Sequence, residues 1–356
     1  MERINVAHST GEYTIYAGEG ILGDALGDFF AANRYDRICV VSDSNVWPLH
    51  GETLTAALSA AGVSAADVNV FPAGETSKCI STVVKMYETF TKASLTRHSL
   101  VIAFGGGVCG DMAGFAAATY LRGIDVVQIP TTLLSQIDSS IGGKTGVDLD
   151  EGKNLVGAFW QPVRVIADVN TLSTLPPKTF ADGMAEVIKT ACIKDEQLFR
   201  ELETGIAMKE THIEATIARC MDIKRGVVER DETESGERKL LNFGHTMGHA
   251  LEKYYDYTDL THGHAVALGM VIISEASERQ HLTDPGTTMR IVEVLRKYDL
   301  PVADTATLDD YLPGVANDKK RAGSQIDLAL LHRIGDSFIY RLPLSLLGAF
   351  LRGEDA

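Results

Sequence analysis

The chain has 356 residues, 45% of them hydrophobic and 23% charged, with a formal net charge of −15 at pH 7. That length exceeds what one core usually serves, so two domains are expected. The acidic balance argues against nucleic acid or an anionic membrane as partner, since each calls for a basic face, and it makes any local cluster of cations more informative. Five scattered cysteines (Cys39, Cys79, Cys109, Cys192, Cys220) without a C-x-x-C pair fit a reducing compartment and inert buried thiols rather than disulfides or a thiolate metal site. The first twenty residues hold no signal-peptide core, and the longest apolar helix candidate, 265–273, falls far short of the ~20 residues that span a bilayer. A cytoplasmic protein is expected.

Between residues 13 and 168 short β-rich runs alternate with helical patterns. The runs are 13–16, 37–42, 67–71, 99–104, 125–129 and 163–167, with helices such as 20–33 and 77–93 between them. The inner runs are continuously apolar, which points to a parallel sheet covered on both faces. Ligands of such sheets bind beyond the carboxyl ends of the strands. There the run 99–104 feeds Gly105-Gly106-Gly107-Val108-Cys109-Gly110, a G-x-G-x-x-G pattern between a strand and a helix, with Asp111 expected in the helix's first turn. Such a turn lets the backbone approach a pyrophosphate at a helix N-terminus, and it equally serves as a plain tight strand–helix connection.

Two more carboxyl-end loops, Ser42-Asp43-Ser44-Asn45 and Ala73-Gly74-Glu75-Thr76-Ser77-Lys78, carry groups that could accept from a ribose hydroxyl or could simply form turns and caps. After the glycine turn, a loop supplies Lys144 and Lys153.

Pro176-Pro177 marks the expected boundary between an α/β domain, 1–177, and a mainly helical domain, 178–356. Helical periodicity runs through 180–194, 196–203, 213–229, 245–255, 264–280 and 287–298, and 326–331 with 337–342 reads as a hairpin. His245 and His249 stand four apart on one helix face, His262 follows in a turn before another helix, and Glu186 lies on a helix with Lys189 one turn away. A carboxylate plus two imidazoles leaves an open coordination position, as in a catalytic zinc site; spacing alone also allows histidines that cap or pad a bundle. Lys189, Lys224, Arg238, Lys144 and Lys153 read singly as solvated charges and together as fitting a small polyanion.

GGGVCGDMAGFAAATYLRG, IPTTLLSQIDSSIGGKTGVD, GKNLVGAFWQP, GMAEVIKTA, LNFGHTMGHALE, HGHAVALGM and NDKK follow one another in the order and spacing of 3-dehydroquinate synthases, and the resemblance spans nearly the whole chain. It implies a homodimer with a Rossmann-like NAD-binding domain followed by a helical metal-binding domain, an α/β architecture that turns 3-deoxy-D-arabino-heptulosonate 7-phosphate into 3-dehydroquinate and phosphate. By that resemblance Glu186, His245 and His262 are ligands of Zn2+ or Co2+. Asp43, Asn45, Glu75, Lys78, Gly106, Gly107, Asp111, Thr131, Thr132, Lys144, Lys153, Thr171 and Thr174 match NAD contacts. Lys144, Lys153, Asn154, Lys189, Lys224, Arg238, Asn242, His249, Lys319 and Lys320 match substrate-handling positions, and Arg122 an arginine that reaches the neighbouring subunit's site. His264 departs from the Glu usual in the family.

The chemistry implied is transient oxidation at C5 by NAD, elimination of phosphate, reduction, and ring opening with aldol closure. Lys189, Asp138 and His249 would move protons, Lys144, Asn154 and Asn242 would hold the phosphate, and Lys224 with Arg238 the carboxylate. A metal-dependent polyol dehydrogenase would not need these cations. A cyclase acting on sedoheptulose 7-phosphate would lack a reason for Lys224 and Arg238, and a non-catalytic NAD-binding regulator would lack a reason for the metal residues.

Overall fold

The structure, a computed structural model, describes residues 1–209, 211–257, 260–319 and 324–354, with the backbone alone at 316–319. It comprises two compact units, Met1–Pro176 with Ile217–Glu232, and Pro177–Thr216 with Thr233–Ala356. The segment Ile217–Glu232, which the sequence reading put in the helical domain, thus belongs to the first unit. Its partners lie far away in sequence: Glu229 accepts from the Ala7 amide at 2.8 Å and Glu232 from the Ser9 amide at 3.0 Å. Helical periodicity along the segment carries no trace of them.

The first unit opens with strands β1 (Glu2–His8) and β2 (Gly11–Gly18), then α1 (Leu22–Ala32), β3 (Ile38–Asp43), α2 (Val46–Ala60), β4 (Asp67–Phe71), α3 (Ile80–Lys92), β5 (Leu100–Gly105), α4 (Gly107–Thr119) and β6 (Asp125–Pro130). A two-stranded ribbon of β7 (Lys144–Leu149) and β8 (Gly152–Phe159) follows, and β9 (Arg164–Asp168) closes the sheet. The sheet order is β1-β2-β9-β6-β5-β3-β4, antiparallel only at β1–β2. Within β3 and β5 successive side chains enter different cores. Ile38, Val40, Leu100, Ile102 and Phe104 pack with α1 and α2, while Cys39, Val41, Val101 and Ala103 pack with α3 and α4. Period-two alternation between two dry faces is what makes these strands continuously apolar.

Chain order β3, β4, then β5 on the far side of β3 puts the reversal between β3 and β5. The loops after these two strands therefore flank the crevice at which doubly wound sheets bind ligands. The ribbon replaces the loop expected at Lys144 and Lys153. Leu155 and Phe159 on β8 stay exposed while Val156 and Ala158 pack toward the α3–α4 core, so apolar residues on both faces blur the alternation that would announce the strand.

In the second unit, α5 (Pro177–Lys194) and α6 (Glu196–Thr204) precede α7 (Ile213–Arg230), whose greater part lies in the first unit. Then come α8 (His245–Tyr254), α9 (His262–Arg279), α10 (Thr287–Lys297), α11 (Leu308–Lys319), the antiparallel hairpin β10 (Gln325–Arg333) with β11 (Asp336–Pro343), and α12 (Leu347–Arg352). The central helix α9 packs on α5, α8, α10 and α12. Two glycines allow this. A Cβ on Gly269 would stand 1.9 Å from the Gly244 carbonyl oxygen, and one on Gly263 would stand 2.0 Å from that of Asp182. Among the described residues no helix is long and apolar enough to cross a membrane.

Candidate functional site

In the first unit, Asp43 ends β3 and the glycine turn ends β5. Asp43 Oδ1 accepts from the amides of Asn45 and Val46 at 2.8 and 3.0 Å, so this carboxylate caps the start of α2, the plainer of its two expected roles. Its Oδ2 lies 3.2 Å from where a Cβ on Gly105 would stand. Gly106 is the N-cap of α4 without a side-chain cap bond, leaving the first amides of the helix for an anion. Asp111, the fifth residue of α4, sits in its second turn rather than the first.

Asp111 has a partner across the end of the sheet. Lys78 Nζ lies 2.6 Å from Asp111 Oδ2 and 2.6 Å from Asn154 Oδ1. Burial alone would lower the Lys78 ammonium, but Asp111 and Glu75 outweigh it and push it up to about 12. Burial in turn pushes the Asp111 carboxyl up against the pull of Lys78. Lys153 Nζ is 3.4 Å from Glu75 Oε1, and Lys144 is exposed at the start of β7. Lys78, Glu75, Asp111, Lys153 and Asn154 thus form one polar cluster. Thr132 binds Ser135, whereas Thr131 Oγ1 is buried without a hydrogen-bond partner among the described residues. Thr171 takes a bond from Gln136 at 3.2 Å and gives one to the Asp168 carbonyl, and Thr174 meets His50 at 2.7 Å. Asp138 lies on a single π-turn, Ser135–Ser139, and its Oδ1 is 2.7 Å from Lys224 Nζ.

In the second unit, Glu186 on α5, His245 on α8 and His262 on α9 converge. Glu186 is 1% exposed, with His245 Nε2 at 3.5 Å and His262 Nε2 at 3.6 Å from its Oε1. Glu186 Oε1 has no hydrogen-bond partner among the described residues. Donors around a tetrahedral ion with bonds of about 2.0 Å stand about 3.3 Å apart, so the three groups fit a divalent metal. Lys189, one turn along α5 and itself buried, pairs with Glu186 Oε2. Burial would raise the Glu186 carboxyl, yet Lys189 and the imidazoles hold it well below the usual range. Burial drives His245 down, while Glu186 and Glu252 overcome burial to drive His262 up. His262 is the first residue of α9, not part of a preceding turn. Thr261 is the extended N-cap, and its Oγ1 meets His264 Nδ1 at 2.7 Å.

Family profiles described as 3-dehydroquinate synthase N-terminal and 3-dehydroquinate synthase C-terminal match residues 68–182 and 183–321. A 3-dehydroquinate synthase of Clostridium beijerinckii is 42% identical over 342 residues, 95% of this chain and 97% of the relative. The chain belongs to the 3-dehydroquinate synthase family. Synthesis of 3-dehydroquinate is the function this membership gives it. Among solved structures, a 2-deoxy-scyllo-inosose synthase with carbaglucose-6-phosphate, NAD+ and Co2+ superposes at TM-score 0.87 with 25% identity, covering 99% of this chain and 100% of that one. A 2-epi-5-epi-valiolone synthase from Streptomyces hygroscopicus with NAD+ and Zn2+ gives 0.86 and 29%, covering 97% of each.

Arg238 is fully buried in the turn Glu237–Asn242, not a surface charge, and Asn242 Nδ2 donates to Glu234 Oε1 at 2.5 Å. His249 is exposed on α8, its ring centroid 5.5 Å from that of His245. His264 has its amide 3.1 Å from Asp182 Oδ1, tying the start of α9 to α5. Arg122 is exposed with φ 69°, directly after Leu121 at φ 51°. Lys319 ends α11, and Lys320 lies outside the described residues. Four of the cysteines are buried as expected, but Cys79 at the start of α3 is half-buried.

Sequence reasoning missed Glu252. It is fully buried, with Oε1 3.5 Å from His262 Nδ1. Seven residues after His245 and three after His249, it shares their helix face, and that spacing was the available signal.

Proposed function

We propose that the chain converts 3-deoxy-D-arabino-heptulosonate 7-phosphate to 3-dehydroquinate and phosphate as a carbon–oxygen lyase using NAD and one divalent ion, zinc or cobalt. Glu186 carries the reading: a buried carboxylate facing two imidazole Nε2 atoms at metal-sharing distance. The structural relatives that hold NAD+ with Co2+ or Zn2+ support the same pair of cofactors here. When bound, NAD would take up and return the C5 hydride, and the ion would act as a Lewis acid toward the C4 and C5 oxygens.

The residues of each unit divide the remaining work. In the first unit the amides of the Gly105–Gly107 turn bind pyrophosphate, and Asp43, Asn45, Glu75, Lys78, Asp111, Thr131, Thr132, Thr171 and Thr174 line the cofactor. Asp43, Thr171 and Thr174 do so through groups that also hold the fold. Lys144, Lys153 and Asn154 bind the substrate phosphate. Asp138, held by Lys224, takes protons from a substrate hydroxyl, and Lys224 itself meets the carboxylate. In the second unit Lys189 holds a proton next to Glu186, His249 exchanges one with the substrate, and Asn242 donates to phosphate. Arg238 grips the carboxylate through its fork, and Lys319 and Lys320 add positive charge. The active form is a cytoplasmic homodimer in which Arg122 serves the neighbouring subunit; its exposed, left-handed backbone supports that reading.

Because the hydride leaves and returns within one cycle, no net oxidation occurs. With substoichiometric NAD and excess substrate, many phosphates should be released per NAD while absorbance of reduced nicotinamide stays near baseline. One NADH accumulating per product would instead identify a dehydrogenase.

A further inference from the structure

The two histidines facing Glu186 are oriented by different groups. His245 Nδ1 lies 3.2 Å from the carbonyl oxygen of Phe243, an acceptor that can take only an N–H and so leaves Nε2 with its lone pair toward Glu186. The His262 ring is set differently. Its Nδ1 faces Glu252 Oε1 at 3.5 Å while its Nε2 faces Glu186 Oε1 at 3.6 Å. The imidazole is therefore held between two carboxylates, one on each nitrogen.

We propose that Glu252 is a positioning residue of the metal centre: it accepts the Nδ1 proton of His262, fixing the tautomer and ring orientation that present Nε2 to the ion shared with Glu186 and His245. The proposal rests on the metal reading above and adds a residue to it. Three observations carry it. Glu252 is fully buried on the same face of α8 as His245, so its carboxylate is withdrawn from water at a cost that a purely structural position would not require. It faces the ring from the side opposite Glu186. Its charge, added to that of Glu186, balances a divalent ion, which raises the basicity of His262 as a ligand relative to a carbonyl partner. His249 also stands near Glu252, its Nε2 4.0 Å from Oε2.

The test uses full-length, metal-free protein titrated with Co2+ against a chelator of known affinity, with the d–d absorption of the bound ion recorded and melting of the metal-free form as a check on folding. Glu252→Gln keeps an oxygen that accepts from Nδ1 but loses the charge, and should bind Co2+ about tenfold more weakly with a spectrum like wild type. Glu252→Leu keeps neither, and should lose up to about a hundredfold in affinity with a changed spectrum as His262 is released. Wild-type affinity and spectrum in Glu252→Gln and in any folded Glu252→Leu overturn the proposal, as does a Gln variant that loses the ion as completely as Leu. Should Glu252→Leu not fold, the Gln titration decides by its own affinity. Failure of the wild-type protein to bind Co2+ would instead overturn the metal reading itself.

Discussion

Gly263 on α9 lies against the backbone of Asp182 on α5, so closely that a Cβ at position 263 would stand 2.0 Å from the Asp182 carbonyl oxygen. Asp182 also receives the His264 amide, and Glu186 sits one turn further along α5. The approach of these helices therefore sets the distance between Glu186 and His262. A methyl group there cannot be absorbed by a rotamer change, because the obstacle is backbone. Gly263→Ala should destabilise the protein by about 1–3 kcal/mol through overpacking and weaken Co2+ binding at least tenfold. Melting and chelator competition on the same preparation check both; a stable variant with unchanged affinity would show that α9 can shift without moving His262.

The pair Lys78–Asp111 makes a second claim that can be measured. Both side chains are withdrawn from water, so removing one partner leaves an uncompensated charge. Lys78→Met should cost about 3–5 kcal/mol, whereas Lys78→Met combined with Asp111→Asn should recover much of that loss. Denaturant unfolding of wild type, these two variants and Asp111→Asn alone gives the coupling. NAD affinity should fall in both variants, since restoring stability does not restore the ammonium.

What the sequence reveals and what it hides divide along a physical line. Strands β3 and β5 are legible because both their faces are dry, and the glycine turn because its close packing leaves no room for side chains: a Cβ on Gly105 would stand 2.6 Å from that of Cys109. The β7–β8 ribbon is hidden because Leu155 and Phe159 are apolar yet exposed, which blurs the alternation set by Val156 and Ala158 on the packed face. The place of Ile217–Glu232 in the first unit depends on partners more than 200 residues away, such as Ala7 and Glu229. His262 and Glu186 are visible as residue types, yet the gap they share is set by Gly263, whose reason for being glycine appears only when α5 lies beside it. Glu252 was in plain sight at helical spacing from His245, but a carboxylate on a helix reads first as a solvated charge.

Asp327 provides a pH-dependent case. Arg341 Nε at 2.6 Å and Lys239 Nζ at 2.7 Å hold its carboxyl well below the usual carboxylate range. A carboxylate whose folded pKa is depressed stabilises the fold above its unfolded value, near 4, and that contribution disappears as pH falls through the folded value. Asp327→Asn should therefore lower Tm by about 2 °C at pH 7, a modest figure because Arg341 is solvent-screened, and the gap to wild type should close as pH drops below about 4. A difference that persisted unchanged at low pH would assign the effect to packing. Lys239 neighbours Arg238, so the same variant tests whether this anchor steadies the turn Glu237–Asn242: KM should rise more than kcat falls.

Arg238, proposed to grip the substrate carboxylate, should separate the carboxylate-bearing substrate from sugar phosphates that lack one. It is 2% exposed in the turn that leads into α8, so its guanidinium is already stripped of water before any ligand arrives. A fork of parallel N–H donors in such surroundings favours a planar carboxylate over a hydroxyl by a charge-assisted, bidentate contact. Arg238→Ala should lower kcat/KM for 3-deoxy-D-arabino-heptulosonate 7-phosphate by on the order of 2 kcal/mol, about thirtyfold or more. Arg238→Lys, which keeps the charge and loses the fork, should fall between. Deleting so large a buried side chain also risks the fold, so the comparison is made on variants whose melting and Co2+ affinity match wild type. Phosphate release is then measured side by side with sedoheptulose 7-phosphate, which has no carboxylate. Loss confined to the acid substrate supports the assignment. Equal loss on both would make Arg238 a structural cation of the turn, and the carboxylate would have to be met by Lys224 without it.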